Sequence, residues 1–312
     1  MKPLEDAFAS DVFRRVILPG IVLCAGLHPL ISRWMPAVQS LYGIGPTTFI
    51  VAEIIVLGLG ISSATQWIYY VYEGFRLEWL TAFAGEINRS RLSRQKKRLL
   101  KIQGEREFDD LSRREKDEVT KIYEYLMDFP LLSRDGSPME YSLERPTRLG
   151  NIIATYELYA ESRYGIDGID FWYHFLNLAS DATRKEFDEK YSFAESMVLA
   201  SFAGALVAVL HFLVLIGFAI GYLKDTLVLF RLPVGSMKVS ISLTLFGLLV
   251  WFLFYLASLS AHREAGAALR AIIDSAFPKF SDWATTMQVP AAGETVEKIT
   301  RLNEYLKHPD RT

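Results

Sequence analysis

Residues 196–223 read SMVLASFAGALVAVLHFLVLIGFAIGYL, a stretch without a single Asp, Glu, Lys or Arg. A helix needs about 20 apolar residues to cross the hydrocarbon core of a bilayer. This stretch exceeds that and carries no strand-like alternation, so it reads as a membrane-crossing helix and decides the fold. Three more charge-free windows stand around it, at 16–32, 54–72 and 239–261. The chain is therefore expected to be all-α and polytopic. Its four transmembrane helices fall at about 16–34, 49–72, 194–223 and 239–261. The first window is the weakest, since Pro19, Gly20, His28 and Pro29 interrupt it. It reads as a kinked span or a re-entrant segment, because backbone groups freed by proline must be satisfied against protein.

Charge sets the expected orientation. Arg76, Arg89, Arg91, Arg94, Lys96, Lys97, Arg98 and Lys101 follow the second span, and Lys2, Arg14 and Arg15 precede the first. The loop between spans one and two has only Arg33, and that between three and four has Lys224, Arg231 and Lys238. Lys and Arg concentrate on the cytoplasmic side. Both termini and the central region are thus expected inside, in a bacterial inner membrane. The N-terminus has neither a basic tip nor a small-residue cleavage site, so the first apolar segment is read as retained.

The expected organisation is an N-terminal hairpin over 1–73, a cytoplasmic helical region over 74–192, a C-terminal hairpin over 193–262 and cytoplasmic helices over 263–312. The central region reads as extensions of spans two and three. Residues 75–103 continue span two. A second segment covers Ser112 to Phe129, with Val119, Ile122, Tyr123 and Leu126 at helical spacing and Pro130 as its stop. Thr147 caps a helix running through Tyr164, with Gly165 as its stop, and Ser180 caps a helix continuous with span three. After span four, a helix over Ala265 to Ala276 ends near Pro278, and a last amphipathic helix covers Thr295 to Leu306. Movement in the spans would then be felt in the central region, as a sensor requires.

The most distinctive local stretch is Arg145-Pro146-Thr147-Arg148-Leu149-Gly150-Asn151, followed by Glu157, Arg163, Tyr164, Gly165 and Asp167. It resembles a segment of a loose group of uncharacterised bacterial multi-span membrane proteins that carry P-T-R-L-G-N and then a helix ending in R-Y-G-x-D. The resemblance covers about 25 residues. It implies a membrane protein and transfers no catalytic residue. Physically, Arg148, Asn151 and Thr155 share one helix face beside the N-terminus, where an arginine fork can hold a phosphate or carboxylate. Arg148, Asn151, Glu157, Arg163 and Asp167 are therefore the ligand or partner candidates. The competing reading pairs Arg148 with Glu144, Asp167 or Asp170 and pins the loop to the helices.

Two ionisable residues lie inside spans, Glu53 and His211. Such groups are costly in lipid and mark ion or proton paths; the alternative is an interfacial glutamate and a packing histidine. Ser62, Ser63, Thr65 and Gln66 supply a modest polar set near the end of span two. Small residues at i, i+4 spacing (Ala200, Gly204, Ala208; Gly217, Gly221), with Gly58 and Gly60, suit close helix packing within the chain or between subunits. The basic run Arg89–Lys101 suits anionic headgroups. The acidic Glu105, Glu107, Asp109 and Asp110 that follow are expected to neutralise it, and it lacks the aromatics of a nucleic-acid surface.

Enzyme signatures are absent: no P-loop, no His-Glu-x-x-His, no Gly-x-Ser-x-Gly. The lone Cys24 forms no intramolecular disulfide and reads as a packing residue, and no Cys/His spacing calls for a metal. No cofactor is expected. The reading that follows is a non-enzymatic, self-associating membrane protein whose helical region senses or docks a cytoplasmic partner and gates an ion path. Its partners are the bilayer and further copies of itself, with no nucleic acid. The alternatives are a small-solute transporter, or a membrane enzyme acting on lipid headgroups or nucleotides through Arg148, Glu157, Asp167, Asp170 and His174.

Overall fold

A computed structural model describes residues 12–31, 36, 43, 45–76, 78–104, 106–130, 145–164, 168–169, 171–219 and 237–286. Among these, every regular element is a helix. In chain order they are α1 (Leu18–Ile31), α2 (Pro46–Ser63), α3 (Thr65–Glu73), α4 (Glu78–Gln103), α5 (Arg113–Leu126), α6 (Arg148–Glu157), α7 (Tyr159–Tyr164), α8 (Trp172–Leu178), α9 (Asp181–Ala219) and α10 (Met237–Thr286). The expected helix over Thr295–Leu306, the Gly165 stop and the Asp167 and Asp170 candidates lie outside the described residues.

Three helices are long and apolar enough to cross a membrane: α2, α9 over Asp181–Gly217, and α10 over Met237–Lys279. The first apolar segment is shorter, a 14-residue α-helix entered through a π-helical turn at Phe13–Ile17.

The chain divides into two compact units. The first comprises residues up to Tyr69 and Tyr191–Ala261. Its helices pack through glycines. A Cβ on Gly20 would strike the Ile54 carbonyl, and one on Gly58 would strike the Val16 carbonyl. Position 16 faces 58 and 20 faces 54, so α1 and α2 run antiparallel at close range. Gly204 and Gly247 make the same arrangement between α9 and α10; a Cβ on Gly204 would lie 2.6 Å from the Trp251 backbone nitrogen. The small-residue ridge at Ala200, Gly204 and Ala208 is therefore used within the chain, whereas Gly60 faces open space. Outward, Val51, Ile55, Val56, Leu59, Phe212, Leu213, Leu249 and Phe252 are exposed. Apolar area of this extent fits acyl chains better than water.

The second unit comprises Tyr70–Lys190 and residues from His262 onward. A core of Leu92, Ile122, Leu126 and Phe129 joins α4 to α5. Helix α5 opens with a capping box: the Glu115 amide donates to the Ser112 hydroxyl, and the Ser112 amide donates to Glu115 Oε2 at 2.9 Å. The Ser112 hydroxyl, which also donates to Glu115 Oε2 at 2.7 Å, and the Ser112 amide hold the Glu115 carboxyl down at about 2.

Three expectations about continuity need correction. Span two does not run on through residue 103. The chain leaves helical geometry at Ala64 and again at Gly74, whose φ of 96° is left-handed, and α4 restarts at Glu78. The helix from Thr147 does not run unbroken to Tyr164; it pauses at Leu158, between α6 and α7. Conversely, the helix after span four does not end near Pro278, since α10 includes that proline and continues to Thr286. Packing offsets the lost hydrogen bond there: Ile272, Ile273 and Ala276 are buried, and Phe277 stacks on Tyr164 with ring centroids 3.9 Å apart.

Candidate functional site

The Arg145–Asn151 segment mostly clasps the break at residues 72–76. Arg145 pairs with Glu73 at 2.6 Å and also with Glu157, and its guanidinium lies 5.2 Å from the Phe75 ring centre. The Thr147 hydroxyl donates to the Tyr72 carbonyl and caps α6 by accepting from the Gly150 amide at 2.9 Å. The Asn88 amide donates to the Pro146 carbonyl. Gly150 is required by proximity, since a Cβ there would lie 2.6 Å from the Glu73 carbonyl oxygen. Asn151 is fully buried; its amide donates to the Arg145 and Thr147 carbonyls and its oxygen accepts from the Arg145 amide. Two of the sequence candidates, Asn151 and Glu157, thus serve the clasp. Burial pushes the Glu73 carboxyl up to about 7, against the pull of Arg145.

Arg148 alone of that segment turns to other company. Among the described residues its partner is Asp128; Glu144, Asp167 and Asp170 lie outside them. Asp128 is 1% exposed and receives Arg148 Nε at 2.8 Å, Arg263 Nε at 2.6 Å and a second Arg263 nitrogen at 2.8 Å. The Arg148 guanidinium also lies 5.2 Å from the Tyr125 ring centre. Arg163 is exposed, and its side chain bonds the neighbouring Tyr164 phenol.

A cavity of about 540 Å³ opens against this ion cluster, walled by α5, α6 and α10. Lys121, Arg148, Arg263 and Arg270 supply cations, and Glu124 and Asp128 are its only carboxylates among the described residues. Arg148 and Arg263 are committed to Asp128. Half-buried Arg270 and exposed Lys121 take no carboxylate among the described residues. The Tyr125 hydroxyl is buried without a hydrogen-bond partner, and burial raises its phenol above the usual range. His262 closes the wall fully buried, with Nδ1 3.1 Å from the Tyr156 hydroxyl. Burial pushes its pKa down to about 3, so it is neutral at physiological pH.

In the first unit the two ionisable candidates take different partners. Glu53 is buried and its Oε2 lies 2.8 Å from His28 Nδ1. His211 is buried, with Nε2 2.9 Å from the Gly26 carbonyl oxygen on α1. Cys24, His28 and Glu53 each bring a ligand atom within 4.8 Å of the others. The Ser63 and Thr65 hydroxyls donate to the Gly60 and Ser62 carbonyls, each three residues back, and are satisfied locally. Among the described residues, Arg98 of the basic run pairs with Glu118 on α5 and Arg89 with Glu86, while Asp109 pairs with Lys116; Glu105 lies outside them.

Sequence reasoning missed Asp128, Arg263, Arg270 and Lys121, which share no local pattern; Asp128 and Arg263 alone stand 135 positions apart. It also missed the Cys24/His28 pair, for which the i, i+4 spacing was a usable signal.

Comparison of the chain with protein-family models, with curated proteins and with solved structures finds no match.

Proposed function

We propose that this chain is a non-enzymatic inner-membrane protein that senses a phosphate-bearing anion at the cavity formed by α5, α6 and α10. In this reading α1 is a fourth span. With its π-helical entry it covers Phe13–Ile31, roughly 28 Å at 1.5 Å per residue. The Lys and Arg distribution puts both termini and the second unit in the cytoplasm. The exposed apolar faces of α2, α9 and α10 meet lipid or further copies of the chain. The observation that carries the reading is the surplus of cations around the cavity, two of which take no carboxylate among the described residues.

A guanidinium half withdrawn from water is a strong donor for phosphate oxygens. Hydrogen bonds to charged groups are worth about 1.5–3 kcal/mol, so losing one weakens binding roughly tenfold or more. The test is calorimetric titration of the detergent-solubilised full chain with inorganic pyrophosphate and, separately, with a short-chain phosphatidate. Arg270→Gln is expected to weaken the preferred ligand at least tenfold without changing the melting temperature. Preference for phosphatidate assigns a lipid headgroup, and preference for pyrophosphate a soluble anion. Binding of neither, or equal binding by the variant, refutes the proposal.

A further inference from the structure

We propose that Cys24, His28 and Glu53 form a binding site for a divalent transition-metal ion of the zinc type, inside the helix pair α1/α2. The proposal is independent of the anion cavity, which lies in the other unit.

The site follows from the way the two helices meet. Gly20 and Gly58 let the backbones of α1 and α2 touch. Cys24 and His28 follow Gly20 by one and two helical turns and so share its face. Glu53 adjoins Ile54, whose carbonyl is the atom Gly20 approaches. At such a crossing the short cysteine side chain reaches the partner helix. The three ligand atoms lie within 4.8 Å of one another. A tetrahedral ion with bonds of about 2.0–2.3 Å sets its ligands roughly 3.3–3.8 Å apart, so modest rotamer adjustment accommodates it.

A second observation points to a missing ligand. The Glu53 side chain is only 4% exposed, and its Oε1 is buried with no hydrogen-bond partner among the described residues. An unsatisfied carboxylate oxygen in an apolar helix pair is costly, and a coordinated cation removes that cost. The donor set fits the ion in charge: one thiolate and one carboxylate balance a divalent cation, and the imidazole is neutral. Mixed sulfur, nitrogen and oxygen donors favour zinc-like ions over the hard oxygen-seeking magnesium and calcium. Three protein ligands leave a fourth position for water or a further donor.

Cys24 is the only cysteine of the chain, which makes the test self-assigning. The detergent-solubilised full chain is stripped with chelator, dialysed against Co²⁺ and examined by absorption and metal analysis. The expected result is about one Co²⁺ per chain, tetrahedral d–d bands and a thiolate-to-cobalt charge-transfer band that can come only from Cys24. Zn²⁺ bleaches both. Glu53→Gln is expected to weaken Co²⁺ at least tenfold while the charge-transfer band persists at saturation. Absence of the band in the wild-type chain overturns the site, and needs no variant to fold. Unchanged affinity in Glu53→Gln overturns the three-ligand assignment.

Discussion

Asp128→Asn probes the ion cluster beside the cavity most directly. The carboxylate is 1% exposed and receives two guanidinium groups from separate segments of chain. An amide at this position keeps the shape but removes the charge and turns an N–H donor toward N–H donors. Removing one partner of a buried ion pair costs about 3–5 kcal/mol. The arginines keep 30% and 43% of their side-chain surface in solvent and regain some hydration. The lower end, about 3 kcal/mol, is therefore expected. For a unit of this size each kcal/mol lowers the melting temperature by about 2–4 °C, which gives a drop of about 6–12 °C. Tryptophan fluorescence during heating in detergent measures it, with Asp181→Asn as the control. Asp181 is 99% exposed and pairs with Arg184 one turn away; such a pair is worth about 0–1 kcal/mol. If Asp128→Asn melts within about 2 °C of the control, the cluster does not hold α5, α6 and α10 as described.

Two further tests follow. Glu73 and His262 act oppositely on pH dependence. Glu73, raised to about 7, contributes stability that is present below its ordinary carboxylate value and lost as pH rises through about 7. His262, lowered to about 3, contributes stability that is present above its ordinary value of 6.5 and lost as pH falls toward 3. Glu73→Gln should therefore steepen the loss of stability on acidification between about pH 4.5 and 6.5, and His262→Gln should reverse its sign; chemical denaturation across that window checks both, and parallel curves for all three chains refute the assignment. Gly204→Val should disrupt the α9/α10 contact, where the added carbon would lie 2.6 Å from a backbone nitrogen; Gly60→Val, facing open space, should melt like wild type, and equal behaviour of the two variants would show the contact is not formed.

Three of the expected spans were legible as long apolar helices because lipid imposes a one-dimensional rule on the sequence: charge must be absent for about 20 residues. Caps were legible for a similar reason. Thr147 and Ser180 satisfy amides two or three residues away, and each accepts such a bond. What failed were judgements that depend on tertiary support. Gly74 breaks the helix because Arg145, Pro146 and Thr147 arrive from more than 70 positions away to hold the break. Pro278 fails to break one because the residues around it are packed. Arg148 stood out in the sequence, but its partner Asp128 lies 20 positions away, at a separation no periodicity reports.

The distinction between clasp and cavity also decides where function should be sought. Arg148 is the natural target from sequence, yet it is the wrong residue for a functional test. Its guanidinium holds Asp128 and covers Tyr125, so Arg148→Ala would loosen the wall of the cavity and remove a cation from it at once. A loss of binding there would have two explanations. Arg145, Asn151 and Glu157 are worse targets, because each secures the chain break at residues 72–76 or the loop that clasps it. Arg270 carries the same charge into the same cavity without a carboxylate partner among the described residues. Its removal tests the proposed anion recognition while leaving every described ion pair of the cluster in place. The most informative position is thus one that the local sequence pattern gave no reason to choose.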